Sequence, residues 1–424
     1  MARREFAQRR RAQGFTQESL AAALQVERST VVRWEAGKSR PHAGLWPKLA
    51  AALQVTADQL TNLLADDSPA AVTSPLSLPS TVRPPRGGFE LMDNSRDRGR
   101  FPLRRVLMGC IPDTPPSTQR ALEAEVTHAW DLFFSARFGQ MEQMLPAVLA
   151  CAYNTAETTT GELRRQVNIA LARLLHATSN LLGYTAQEDL AALALLRADA
   201  LATESGDELT RAAIAGSHSW LLAKNRIYDD AAALAERTAT EIEPRLSSAS
   251  PRNIAIWGEL LCYAAFAASR AGDYGEARRY LRLCESAGAH LEDEYANRPE
   301  TSNVFGRTSA ASFGVINEIE ANQPREALKL AAVVRGGGPG IPPTVLSRRL
   351  INVAQAQIHN HDDAGAVETL RHACATAPEF VGHISLARTL TDELLTRRGR
   401  YRLDGLVDVA EHLDASVRPV GIPR

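Results

Sequence analysis

His359, His361, Asp362 and Asp363 bring four side chains of metal-ligating type into five residues. Their spacing matches no standard metal site, and they fall in a polar break between two amphipathic stretches, so a loop accounts for them. Catalytic patterns are equally thin. The chain has no HExxH, no GxSxG and no ordered GxGxxG, and "GKS" at Gly37 lacks the earlier glycine of a phosphate loop. Cys110, Cys151, Cys262, Cys284 and Cys374 form no CxxC pair and leave one thiol over, which fits a reducing cytoplasm. No enzyme, metal or cofactor is expected from these residues.

Charge is the better guide. Residues 1 to 64 hold ten Lys or Arg against five Asp or Glu, leaving 38 against 44 for everything after, so a near-neutral chain hides a basic head on an acidic body. Such an asymmetry suits a head that meets a polyanion. No apolar run approaches the roughly 20 residues that cross a bilayer, and the basic start leads into no signal-peptide core, so neither membrane nor secretion is expected.

The elements that must hold these side chains are helical. Alanine is abundant and strand formers are sparse after the head, and a chain of 424 residues exceeds what one core organises. The expected fold is all-α with several units. In the head, Gly14 can end a first helix in the left-handed conformation, and Thr16 can cap a second from Gln17 to about Leu24. A third helix, Arg28 to Glu35, follows after three residues and buries Val31 and Trp34. Two helices so tightly joined cross steeply, and Ala21 is small where they approach.

"TQESLA", "STVVRWEAGKSRP" and "LWPKLAAALQVTADQL" agree in order and spacing with the Cro/C1-type (XRE) helix-turn-helix, which residues 3 to 64 resemble. The resemblance implies a five-helix domain over 1–64 whose third helix enters the major groove of double-stranded DNA. It gives Arg28, Ser29 and Arg33, with Thr30 beside them, as base readers, because arginine forks onto guanine while Ser and Thr donate or accept. Gln17, Lys38, Ser39 and Arg40 would hold phosphates, and Glu35 would pair internally with Arg10. Two departures stand out: Gln25 occupies a turn position often held by glycine, and Glu27 replaces the usual Ser or Thr cap.

Residues 65–117 are rich in Pro, Ser and Arg and read as a flexible linker. From Arg83 to Arg105, seven arginines face three acids, so a basic arm onto DNA is a second use of this segment. "FPLRRVLMG" can instead fold onto the body as a short helix.

From 118 to 415 an amphipathic helix, a polar break and another amphipathic helix recur, with breaks at "ARFG", "LLGY", "NRIY", "AGDY", "ANQP", "HNHDD" and "RRGRY". Seven stacked pairs of an α-solenoid follow, with 416–424 as a tail. Gly272, Asp273, Tyr274, Ala277, Leu281 and Cys284, then Ala354, Ala366, Leu370, Ala373 and Pro378, resemble the tetratricopeptide repeat (TPR). Tyr228 with Ala231 and Asn322 with Ala327 are weaker copies, and the pair around Tyr184 departs from the pattern. That repeat lines its concave face with each first helix, which puts Trp130, Trp220, Lys224, Glu259, Phe266, Arg270, Arg348 and Gln355 near a groove. Aromatics beside charges suit an extended peptide, while Trp130, Trp220 and Phe266 are equally suited to a core.

The two halves together resemble bacterial peptide-sensing regulators. The expectation is a cytoplasmic, homodimeric transcription regulator on a pseudo-palindromic operator, with a peptide or other small effector in the TPR-like body. A partner protein on the solenoid, with the chain as regulator or scaffold, is the alternative.

Overall fold

The computed structural model describes residues 4–24, 26, 28–35, 41, 45–55, 60, 64, 100–296, 304–335, 340–397 and 403–417. They form twenty helices, and their one β feature is an isolated antiparallel bridge between Tyr295 and Phe305. The fold is all-α, in two compact units, Met1–Phe89 and Glu90–Arg424.

In the first unit, α1 (Arg4–Ala12), α2 (Gln17–Leu24), α3 (Arg28–Glu35) and α4 (Trp46–Leu53) surround one apolar core. The local signals act as their chemistry dictates. Gly14 ends α1 at φ 76°, and Thr16 Oγ1 accepts the Ser19 amide at 3.0 Å to cap α2. Leu20, Ala21 and Leu24 of α2 meet Val31 and Trp34 of α3, with Phe6 and Leu49 completing the core. Leu60 and Leu64 are buried in the same core, while the rest of the expected fifth helix lies outside the described residues, as do Gln25 and Glu27.

The second unit opens with α5 (Arg100–Leu107), whose Leu103, Val106 and Leu107 are buried among the body's apolar side chains. The expected linker of 65–117 therefore ends earlier. Its positions 103, 106 and 107 share one helical face, and burying that face outweighs the arginines between them, which stay exposed. Residues 65–99, with most of the expected basic arm, lie outside the described residues.

Seven helix pairs follow. They are α6 (Gln119–Phe134) with α7 (Phe138–Thr158), α8 (Gly161–Tyr184) with α9 (Glu188–Ser205), and α10 (Glu208–Lys224) with α11 (Tyr228–Glu241). Next come α12 (Pro251–Ala271) with α13 (Tyr274–Ala289), α14 (Arg307–Glu320) with α15 (Pro324–Arg335), and α16 (Pro343–His359) with α17 (Asp363–Thr376). A short helix, α18 (Pro378–Gly382), precedes the last pair, α19 (Ser385–Thr396) and α20 (Leu406–Val417). Helix α20 runs through 416 and 417, so the expected tail begins two positions later than its composition suggests.

One device repeats at the turn of the first six pairs. Ala136, Ala186, Arg226, Gly272, Asn322 and His361 all lie in the left-handed region, with φ between 58° and 89°. The residue after each donates its amide to the carbonyl five residues back, from Arg137 to Leu132 through Asp362 to Gln357. This is a helix-ending Schellman bond, and it turns the chain sharply enough to send the second helix back along the first. Ala231, Ala277, Ala327, Ala366 and Ala373 are fully buried in the second helices, where a larger side chain would hold the pair apart.

The solenoid does not stay open. Thr344 Oγ1 on α16 donates to the Phe134 carbonyl at 3.3 Å, and the Gly139 amide at the start of α7 donates to Glu379 Oε1 at 2.7 Å. Phe138 and Phe380 meet edge to face at 6.0 Å. The sixth pair and α18 thus return to the first pair and close the body on itself.

Candidate functional site

In the head, helix α3 turns Val31 and Trp34 inward, which places positions 29, 32 and 33 on its opposite face and position 28 at the edge of that face, at 100° per residue. Arg28 is exposed, with Nε 3.6 Å from Glu18 Oε1 at the start of α2. Both partners are largely in water, so the contact is weak and leaves the guanidinium available. Ser29 and Arg33 lie on the same face of the backbone. Thr30, by contrast, is half-buried on the flank. Lys38, Ser39 and Arg40 lie outside the described residues.

Gln17 is placed differently from the phosphate role expected of it. Its Nε2 donates to Glu35 Oε2 at 2.5 Å, while Arg10 Nε donates to Glu35 Oε1 at 2.7 Å and Arg10 Nη1 to the Phe15 carbonyl at 2.6 Å. The Arg10–Glu35 pair is as read from sequence. Glu35 therefore joins α1, α2 and α3 from inside, so the angle at which α3 presents its outer face is fixed by charge as well as by packing. Sequence reasoning missed Val32, which is 39% exposed on that outer face, one turn beyond Arg28. The signal was available, since burial of Val31 and Trp34 turns the two positions between them, 32 and 33, outward.

In the body, the first helices of pairs one to six surround a single cavity of about 150 Å³. Trp130, Trp220, Glu259, Phe266 and Arg348, five of the eight residues expected near a groove, line it together. Tyr184, Tyr263, Phe313 and Phe380 add to an aromatic wall. Trp130 is both core and wall: it is 2% exposed, stacks on Phe134 with ring centroids 5.5 Å apart, and meets His176 edge-on at 5.1 Å. His176 binds Ser217 Oγ through Nε2 at 2.8 Å, and burial pulls its pKa down to about 3, so the ring is neutral.

The other three residues do not reach the cavity. Lys224 donates to the Gly183 carbonyl and to Glu188 Oε1 at 2.7 Å, tying the second and third pairs together. Arg270 pairs with Glu320 at 2.8 Å and lies over the Phe266 ring. Gln355 is half-buried on α16 but off the cavity wall. Both cations are absorbed by the stacking of adjacent repeats, which brings Glu188 and Glu320 beside them.

Among the remaining candidates, Asp362 caps α17 by accepting the Gly365 amide at 3.0 Å, and Asp363 pairs with Arg397. The structure also brings together two cysteines that are far apart in sequence. Cys262 and Cys284, both buried, face each other across α12 and α13 with sulfurs 3.4 Å apart, and burial pushes the Cys262 thiol up.

Two short helices packed on one core three residues apart, braced by an internal Arg–Glu pair, are the arrangement of a helix-turn-helix DNA-binding head. Residues 6–60 match the helix-turn-helix family, and the head is of the XRE type. The chain is a DNA-binding regulator joined to a helical-repeat body. No protein of curated function matches it. Among solved structures it is similar to Bacillus thuringiensis PlcR in complex with the peptide PapR7 and DNA, at 15% identity, covering 68% of this chain and 98% of that one with a TM-score of 0.25. Among the described residues no helix is long and apolar enough to cross a membrane.

Proposed function

We propose that the chain is a bacterial, cytoplasmic transcription regulator that acts by binding rather than catalysis, pairs through its body, and reads a pseudo-palindromic operator. Arg28, Ser29 and Arg33 read base edges from α3, and Val32 packs on a thymine methyl. Lys38, Ser39 and Arg40 hold the backbone. In a homodimer the two heads meet half-sites one helical turn, ~10 bp, apart. The body holds an effector in its aromatic cavity, and effector and DNA influence each other to the extent that they favour different states of the protein.

The observation that carries this reading is the convergence of five expected groove residues on one cavity in a chain whose head is built for DNA. A buried aromatic cavity with a few polar groups is the usual form of a small-ligand site. Selection from random duplexes, run alongside sedimentation of the full chain, tests it. Recovery of an inverted repeat by a dimer supports the reading. A monomer that recovers no motif contradicts it.

A further inference from the structure

Six first helices converge on the cavity, and closure of the solenoid leaves it compact: about 150 Å³ between rings from pairs one to six and α18. An open concave groove would take an extended chain. A small aromatic cavity of this volume takes a short, bulky molecule.

Its charges are unequal in their commitments. Arg349 is buried and fully engaged, binding the Thr308 hydroxyl, Ser309 Oγ at 2.6 Å and the Glu294 carboxylate at 3.5 Å. Its neighbour Arg348 is half-buried on the cavity wall and makes no hydrogen bond or ion pair with any described residue. A guanidinium partly removed from water presents a planar fork of donors with nothing to receive them, the arrangement that carboxylates match. Glu259, also on the wall, accepts the Tyr263 hydroxyl at 3.3 Å. Its negative charge discourages a second anionic group on any occupant.

We infer that the cavity binds a compact apolar monocarboxylate, its rings or branched hydrocarbon among the aromatic side chains and its carboxylate on Arg348. This rests on the reading of the body as an effector-binding unit and adds the chemical class of the effector. A peptide ending in an apolar residue also presents a carboxylate beside hydrocarbon, and the small volume of the cavity favours the free acid.

Calorimetric titration of the full chain with naphthoate, the neutral naphthamide and a tetrapeptide ending in phenylalanine tests the assignment. Naphthoate binds at least about tenfold more tightly than naphthamide. Arg348→Gln removes that preference, weakening naphthoate while leaving naphthamide within about twofold, and Arg348→Lys recovers part of it. Because Arg348 has no described partner, its replacement leaves the melting temperature unchanged, which separates lost recognition from lost folding. Equal binding of acid and amide, no binding of naphthoate, or an Arg348→Gln variant indistinguishable from the parent overturns the assignment. Tighter binding of the tetrapeptide than of naphthoate overturns the compact ligand in favour of a peptide terminus. Operator binding is measured separately: naphthoate held by Arg348 without effect on DNA supports the ligand class and rejects the effector role. Intact DNA binding with no naphthoate uptake rejects the ligand class alone.

Discussion

Arg10 on the first helix and Glu35 at the end of the third are joined by a 2.7 Å charge-assisted hydrogen bond, with side chains 5% and 12% exposed. Removing one member leaves the other charged, buried and unpaired. Breaking a buried pair in this way costs about 3–5 kcal/mol, so Glu35→Ala unfolds the head while sparing the body. Hydrogen exchange on the full chain checks this: protection is lost within residues 4–35 and retained from α6 onward. Arg10→Met with Glu35→Leu, which removes both charges, recovers much of the protection.

On the outer face of α3, Arg28→Ala weakens operator binding by about 1–3 kcal/mol and relaxes preference at one base position, as loss of a bidentate arginine does. Val32→Glu puts a carboxylate where the groove is negative and abolishes binding at ordinary salt, whereas Val32→Ala reduces it only severalfold. Fluorescence anisotropy against a selected duplex measures both. A head that binds the duplex unchanged in Val32→Glu does not use this face.

The repeated left-handed turn makes a stability prediction of opposite signs. Ala186 holds φ 60° with a side chain that disfavours it, so Ala186→Gly stabilises the body by up to about 1 kcal/mol. Gly272 sits at the matching turn with φ 89°, and Gly272→Ala destabilises by a similar amount. Thermal unfolding of the two variants gives shifts on either side of the parent.

Buried His176 sets a pH limit. Its folded pKa of about 3 lies below the ordinary 6.5, so between these values the unfolded chain binds a proton that the folded chain does not. Stability from this residue is full above pH 6.5 and is lost as pH falls, at up to about 1.4 kcal/mol per pH unit, with the loss complete near pH 3. Urea unfolding between pH 7 and 5 shows a slope that His176→Gln reduces.

How much of this was legible in the sequence depends on range. The bounds of α2 and α3 follow from Gly14, Thr16 and the apolar spacing, all local, and the structure places them at those residues. Five of the first six breaks contain their left-handed residue, and in the second Ala186 lies two positions past "LLGY", because turn chemistry is local too. Closure of the body is not local. It rests on contacts such as Thr344 to Phe134 and Gly139 to Glu379, 210 and 240 positions apart, which arise from small rotations accumulated over six pairs. Trp130, Trp220, Glu259, Phe266 and Arg348, expected near a groove, line one small cavity together, a form that no local signal gives. Lys224 and Arg270 lie off that cavity because their carboxylate partners, Glu188 and Glu320, come from adjacent repeats.

The central claim, that the outer face of α3 reads DNA sequence, is tested most directly by genome-wide crosslinking and sequencing of bound DNA, with the Arg28→Ala, Arg33→Ala double variant as control. The account predicts a two-fold motif enriched by the parent chain and lost in the double variant. Equal enrichment by both, or none by either under several growth conditions, would contradict it.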